Sequence, residues 1–144
     1  MLRGLTTISY FADDVAAAAL WYRDLLGVEP YFTRDVAGAP AYVEFRIGDH
    51  QHELGIVARR FAPDPHADGP GGAIVYWHVD DVSSTVDRLL TLGARPYEDV
   101  VERGPGFVTA SVVDPFGNVL GVMYNQHFVD TLGLGGDSGT PGCA

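Results

Sequence analysis

Between Ala41 and Ile47 every second residue is apolar, with Val43, Phe45 and Ile47 alternating against Tyr42, Glu44 and Arg46. This is the period of a strand with one buried face. Shorter runs of the same kind predict strands from about Gly4 to Ala12, from Pro30 to Arg34, and from the Gly48-Asp49 turn through Ile56 and Val57. Four more are predicted at Ala73–Val79, Arg95–Glu102, Phe107–Val113 and Val119–Tyr124. Two stretches switch to a helical pattern. The first follows Asp13-Asp14, carries alanine at 16 to 19 and stops at Gly27; the second runs from about Val82 to Leu92 after Asp80-Asp81. Aspartate at such a start caps free backbone N–H groups and places negative charge at the positive end of the helix, while glycine ends a helix without Cβ strain.

The elements come twice. Asp13-Asp14-Val15, a helical run and Leu26-Gly27-Val28-Glu29-Pro30-Tyr31 are answered by Asp80-Asp81-Val82, a helical run and Leu92-Gly93-Ala94-Arg95-Pro96-Tyr97, at an offset of 67 residues (80 − 13) at the start and 66 (92 − 26) at the end. Each copy reads strand, helix, three strands, and the cleft between two such modules is a preferred place for a small molecule. Residues 1–58 form the first module. Residues 59–72, dense in proline and glycine, read as a linker, and 73–128 as the second module. Residues 129–144 read as a flexible tail, rich in glycine, serine and threonine from Gly133 onward.

Charge narrows the partners. The chain has 9 basic and 19 acidic residues, a net charge of −10, and no basic cluster longer than Arg59-Arg60, so nucleic acid is not expected to bind. A cationic ligand is weakly favoured. No uncharged apolar run approaches the roughly 18 residues of a membrane helix, and no apolar signal core precedes Asp13, so a cytoplasmic protein is expected. Cys143 is the single cysteine and cannot form an internal disulfide.

The segment Val113-Asp114-Pro115-Phe116-Gly117-Asn118-Val119-Leu120-Gly121 and the helix end Trp21-Tyr22-Arg23-Asp24-Leu25-Leu26-Gly27, correctly spaced within the repeat, carry a family resemblance. The chain resembles the glyoxalase, bleomycin-resistance and extradiol-dioxygenase superfamily, the vicinal oxygen chelate proteins, over residues 1 to about 125. The resemblance implies an α+β fold in which two tandem βαβββ modules form a cup-shaped, eight-stranded mixed sheet with helices outside and ligand inside. It also implies a homodimer.

Enzymes of that family often hold a divalent metal through four side chains, two from each module. Carried onto this chain by spacing from its motifs, those positions are Thr7, Glu53, Ile74 and Gly121. Isoleucine and glycine have no side-chain donor and threonine is a poor one, so no metal ligand set and no cofactor are expected. The alternative is a divalent metal in a rewired site drawing on His50, His52 and His78, although alternation puts His52 on the opposite face from Glu53.

Alternation also nominates the lining of the cup. From the first module come Thr7 and Phe11 on the first strand, Tyr42, Glu44 and Arg46 on the third, and Glu53 on the fourth. Ile74, Tyr76 and His78 follow on the first strand of the second module, with Thr109, Ser111, Gly121 and Met123 on its last two. The leading expectation is a metal-free binding protein that sequesters a planar or cationic organic molecule. The alternative is a lyase, isomerase or dioxygenase-related enzyme in which His78 and Glu53 or Glu44 are the catalytic acid–base groups.

Overall fold

The structure, a computed structural model, describes residues 6–62, 68–70 and 73–133. Its elements run β1 (Thr7–Ala12), α1 (Val15–Leu26), β2 (Phe32–Val36), β3 (Ala39–Ile47) and β4 (His52–Ala58), then β5 (Val75–His78), α2 (Val82–Thr91), β6 (Arg95–Gly104), β7 (Phe107–Val113), β8 (Val119–Asn125) and α3 (Gln126–Thr131). Tandem βαβββ modules are therefore present as expected. The eight strands form two four-stranded mixed sheets ordered β1-β4-β3-β2 and β5-β8-β7-β6, with β1–β4 and β5–β8 parallel and the other neighbours antiparallel. Among the described residues no helix is long and apolar enough to cross a membrane.

Both long helices begin and end for the expected reasons. The Asp14 carboxylate accepts the Ala17 N–H at 2.9 Å, and Gly27, at φ 70°, returns its N–H to the Arg23 carbonyl at 2.8 Å. Asp81 caps α2 in the same way through the Ser84 N–H at 2.9 Å. Two elements depart from the expectation. A single 3-10 turn, Arg59–Phe61, opens the predicted linker, and α3 crosses the predicted start of the tail at 129. Asn125 caps α3 by accepting the His127 N–H at 3.0 Å, a local hydrogen bond that overrides the propensity reading. Gly4, most of the linker's middle, Cys143 and the rest of the tail lie outside the described residues.

Each helix covers one face of its own sheet. Val43, Phe45, Ile47, Leu54 and Ile56 meet α1, and Ala110, Val112, Leu120 and Val122 meet α2, all within a single buried cluster shared by both modules. Full burial of side chains such as Phe45, Leu54 and Ile56 is worth about 1.5–3 kcal/mol each. The β7–β8 hairpin joins the modules. Asp114, 1 % exposed, accepts the N–H groups of Phe116 (2.9 Å) and Asn118 (2.8 Å), the Asn118 side-chain amide (2.9 Å) and the Tyr22 hydroxyl from α1 (2.6 Å). Burial first, then the Asp114 charge, holds the Tyr22 phenol well above its ordinary pKa, so it remains a donor. Asn118 also bonds both the N–H and the carbonyl of Phe11 at 3.0 Å, fastening the end of β1.

Candidate ligand-binding site

With the helices on one face of each sheet, the other face of each module is free for chemistry. On the first module, β3 and β4 run antiparallel with Arg46 opposite Glu53 and Glu44 opposite Gly55, while β1 sets Thr7 beside Glu53. Thr7 Oγ1 donates to Glu53 Oε2 at 2.9 Å, and an Arg46 guanidinium nitrogen stands 3.5 Å from Glu53 Oε1. The Arg46 guanidinium also lies 4.0 Å over the ring of Tyr31, a cation held against an aromatic face. The hydroxyls of Tyr31 and Tyr42 both donate to Glu44, and Tyr31 reaches Glu53 Oε1 at 3.3 Å. Phe32 closes the aromatic side, its ring centre 6.1 Å from that of Tyr42. Burial, then the negative charge of Glu53, raises the Glu44 carboxyl, and Arg46 pulls it the other way.

The free face of the second module is organised around Glu98. Its Oε2 accepts the Tyr76 hydroxyl at 3.1 Å and the Ser111 hydroxyl at 3.0 Å, Arg103 stands 3.9 Å from Oε1, and Arg103 Nε donates to Thr109 Oγ1 at 3.1 Å. Thr109 and Ser111 are buried although they do not face a helix, because Glu98 and Arg103 lie across them. Tyr76 is raised by burial and then by its bond to Glu98.

The two faces share one device. At Gly55 a Cβ would sit 2.7 Å from the Tyr42 ring, and at Gly121, 66 residues on (121 − 55), it would sit 2.6 Å from the Tyr76 ring and 2.9 Å from Ile74. In each module a glycine on the central parallel strand thus lets a tyrosine ring lie flat on the sheet, although the ring comes from β3 in one module and from β5 in the other.

This packing bears on the metal that the family implies. Glu53 has a carboxylate and Thr7 a hydroxyl, but Ile74 and Gly121 offer no side-chain donor, and the Tyr76 ring fills the space that a side chain at position 121 would need. The residues at those positions do not fit a divalent metal. The rewired set is dispersed. His50 and His52 are exposed at the β3–β4 hairpin with ring centres 5.8 Å apart, beside a shallow depression of about 290 Å³, whereas His78 belongs to the other sheet.

The structure therefore gathers Thr7, Tyr42, Glu44, Arg46 and Glu53 in one module, and Ile74, Tyr76, Thr109, Ser111 and Gly121 in the other. Met123 pairs with His78 across β5 and β8, and Phe11 stands half-buried at the end of β1. His78 is not brought to Glu53 or Glu44; its ring stacks on Phe128 of α3 instead. Among the described residues no hydrogen bond or ion pair joins a side chain on one free face to a side chain on the other. Four participants escaped the sequence reading: Tyr31, Phe32, Glu98 and Arg103. Tyr31 stands in the repeated Leu-Gly-x-x-Pro-Tyr pattern, which marked it, but Glu98 and Arg103 lie on β6, whose register shifts repeatedly against β7 and defeats alternation.

A family model for the Glyoxalase/Bleomycin resistance protein/Dioxygenase superfamily matches residues 4–122. Among curated proteins none matches the chain at a significant level. The chain is similar in structure to a glyoxalase-related enzyme from Fulvimarina pelagi, at 19 % identity and a TM-score of 0.67, covering 87 % of this chain and 90 % of that one. It is similar to a lactoylglutathione lyase from Agrobacterium tumefaciens at 22 % identity and a TM-score of 0.64, covering 89 % and 98 %. A glyoxalase/bleomycin resistance protein from Catenulispora acidiphila shares 21 % identity at a TM-score of 0.56, covering 83 % and 97 %.

Proposed function

This chain belongs to the glyoxalase/bleomycin resistance protein/dioxygenase superfamily, and on that premise we propose that it is a metal-independent binding protein for a planar organic cation. One observation carries the reading. The Arg46 guanidinium, itself a planar cation, rests on the Tyr31 ring at 4.0 Å and beside Glu53 at 3.5 Å, with Glu44 and Tyr42 within the same group. Arg46 is half-exposed, so it is displaceable, and a ligand cation would take over its aromatic and carboxylate partners.

A complete cup brings a second copy of the chain, so that the first-module face of one copy opposes the second-module face of the other. Supporting this, both helix-covered faces share one core within a chain, and among the described residues no side-chain hydrogen bond or ion pair joins the two free faces. Isothermal titration with the planar cation proflavine tests the ligand class. Saturable binding is expected, weakened at least about tenfold in the Glu44→Gln/Glu53→Gln double variant, since removing both carboxylates forfeits charge pairing worth more than about 1.4 kcal/mol. Equal affinity for 1-anilinonaphthalene-8-sulfonate, an anion, or no effect of the double variant, would contradict the reading.

The raised Glu44 carboxyl favours a second reading, an acid–base enzyme that abstracts a proton from a bound carbonyl compound. Under it, Glu44→Gln would abolish deuterium uptake from heavy water into such a ligand. Under the binding reading no uptake occurs in either protein.

A further inference from the structure

His78 ends β5 with 14 % of its side chain exposed. Its ring stacks on Phe128 of α3, with centres 4.6 Å apart and planes at 22°, and Tyr124 of β8 flanks it at 5.4 Å. Nδ1 accepts the backbone N–H of Asn125, the residue that caps α3, at 3.3 Å. Nε2 stands 3.9 Å from Asp80 Oδ1. The Asn125 N–H selects the neutral tautomer with a lone pair on Nδ1 and the hydrogen on Nε2, on the side of Asp80. Little else seats α3. It has six residues and none is buried; among the described residues its other hydrogen-bonded ties to the rest of the fold are the Gln126 N–H to the Gly106 carbonyl at 3.0 Å and the Tyr124 hydroxyl to the Gln126 side chain at 2.9 Å.

We propose that His78 is a proton-operated latch that seats α3 when neutral and releases it when protonated. A second proton must go to Nδ1, where its N–H would point at the Asn125 N–H, and two donors cannot bond each other. Asp80, facing the ring from the turn before α2, favours the resulting cation, and because both nitrogens of an imidazolium are donors no rotation of the ring recovers the Asn125 bond. Other titratable groups on the surrounding elements include Tyr76 on β5, Asp81 beside Asp80, Tyr124 on β8 and His127 and Asp130 on α3, with Asp81 engaged by the Ser84 N–H at 2.9 Å and Asp130 by the Gln126 amide at 3.0 Å. Imidazole is the side-chain type whose charge changes between about pH 5 and 8. The sign follows: the Asn125 bond belongs to the neutral ring, so the seating of α3 is complete at the alkaline end and lost as pH falls.

Amide hydrogen exchange across residues 125–131 tests this, expressed at each pH as protection relative to an unstructured chain. Protection is expected to fall at least about tenfold between pH 8 and 5, the 1.4 kcal/mol scale of one hydrogen bond. It should stay flat in His78→Asn, whose amide oxygen accepts without titrating, and fall as before in His127→Gln. Constant protection in the unaltered protein, or a parallel fall in His78→Asn, would overturn the proposal. In the unaltered protein the Asn125 amide resonance must also titrate with the same midpoint as the His78 ring, and different midpoints would overturn it as well.

Discussion

Tyr22→Phe isolates one bond in the pin that joins the two modules. The ring keeps its place in the core, and only the hydroxyl that donates to Asp114 Oδ2 at 2.6 Å is lost. Asp114 then retains three of its four donors in a site that is 1 % exposed. A hydrogen bond to a charged group is worth about 1.5–3 kcal/mol, so the expected loss is about 2 kcal/mol. With a urea slope of about 2 kcal/mol per molar, the unfolding midpoint should fall by roughly 1 M at pH 7 and fixed chain concentration. Asp114→Ala removes the acceptor from all four donors and should cost about 3–5 kcal/mol. Adding Tyr22→Phe to it should cost little more, a coupling of about 1–2 kcal/mol in the double-mutant cycle. As a control, Tyr124→Phe, whose hydroxyl donates to the exposed Gln126 side chain, should stay within about 0.5 kcal/mol of the parent. A Tyr22→Phe midpoint indistinguishable from the parent's, or additive costs in the cycle, would refute the assignment of this bond as the inter-module pin.

Gly121→Ala should destabilise by about 1–3 kcal/mol through overpacking, because its Cβ would stand 2.6 Å from the Tyr76 ring; thermal unfolding of Gly121→Ala with and without Tyr76→Ala should show the second change relieving the first. Glu44 gives a pH signature. Its carboxyl is raised in the fold, so its stabilising share is complete below the unfolded value of about 4.3 and lost as pH rises through the folded value; the melting temperature of Glu44→Gln relative to the parent should therefore climb between pH 4 and 7, and a constant difference would contradict this. In the β2–β3 hairpin Ala37 takes φ 55° and Gly38 φ 79°, a turn in which a first-position asparagine is preferred to alanine. Ala37→Asn should accordingly raise stability by about 0.5–1 kcal/mol in urea titration.

The duplicated frame was legible because its signals are local. Aspartate before each helix, the Leu-Gly stops and the period-two runs each specify backbone conformation within a few residues, and Asp14, Asp81 and Gly27 act as read. The parity that paired Tyr42, Glu44 and Arg46 against Val43, Phe45 and Ile47 holds because β3 is regular against β4. Legibility failed where register breaks or a helix is short. The bulges of β6 hid Glu98 and Arg103, and α3 rests on one cap and one stacked pair rather than on a long amphipathic pattern. Parity turns His78, Glu53 and Glu44 all toward the cavity, but it ranks residues by face and says nothing of which sheet they share. The poor or missing donors at Thr7, Ile74 and Gly121 are legible in the sequence, whereas the Tyr76 ring over Gly121 needed coordinates, since no spacing rule relates positions 76 and 121.

The proposed function requires that Thr7, Glu53, Ile74 and Gly121 hold no divalent metal and serve an organic-ligand surface instead. Its most direct test is calorimetric titration of the purified, chelator-treated protein with Zn²⁺, Mn²⁺ and Ni²⁺. No stoichiometric binding is predicted for any of them. One tight equivalent per chain, abolished by Glu53→Gln, would contradict the account.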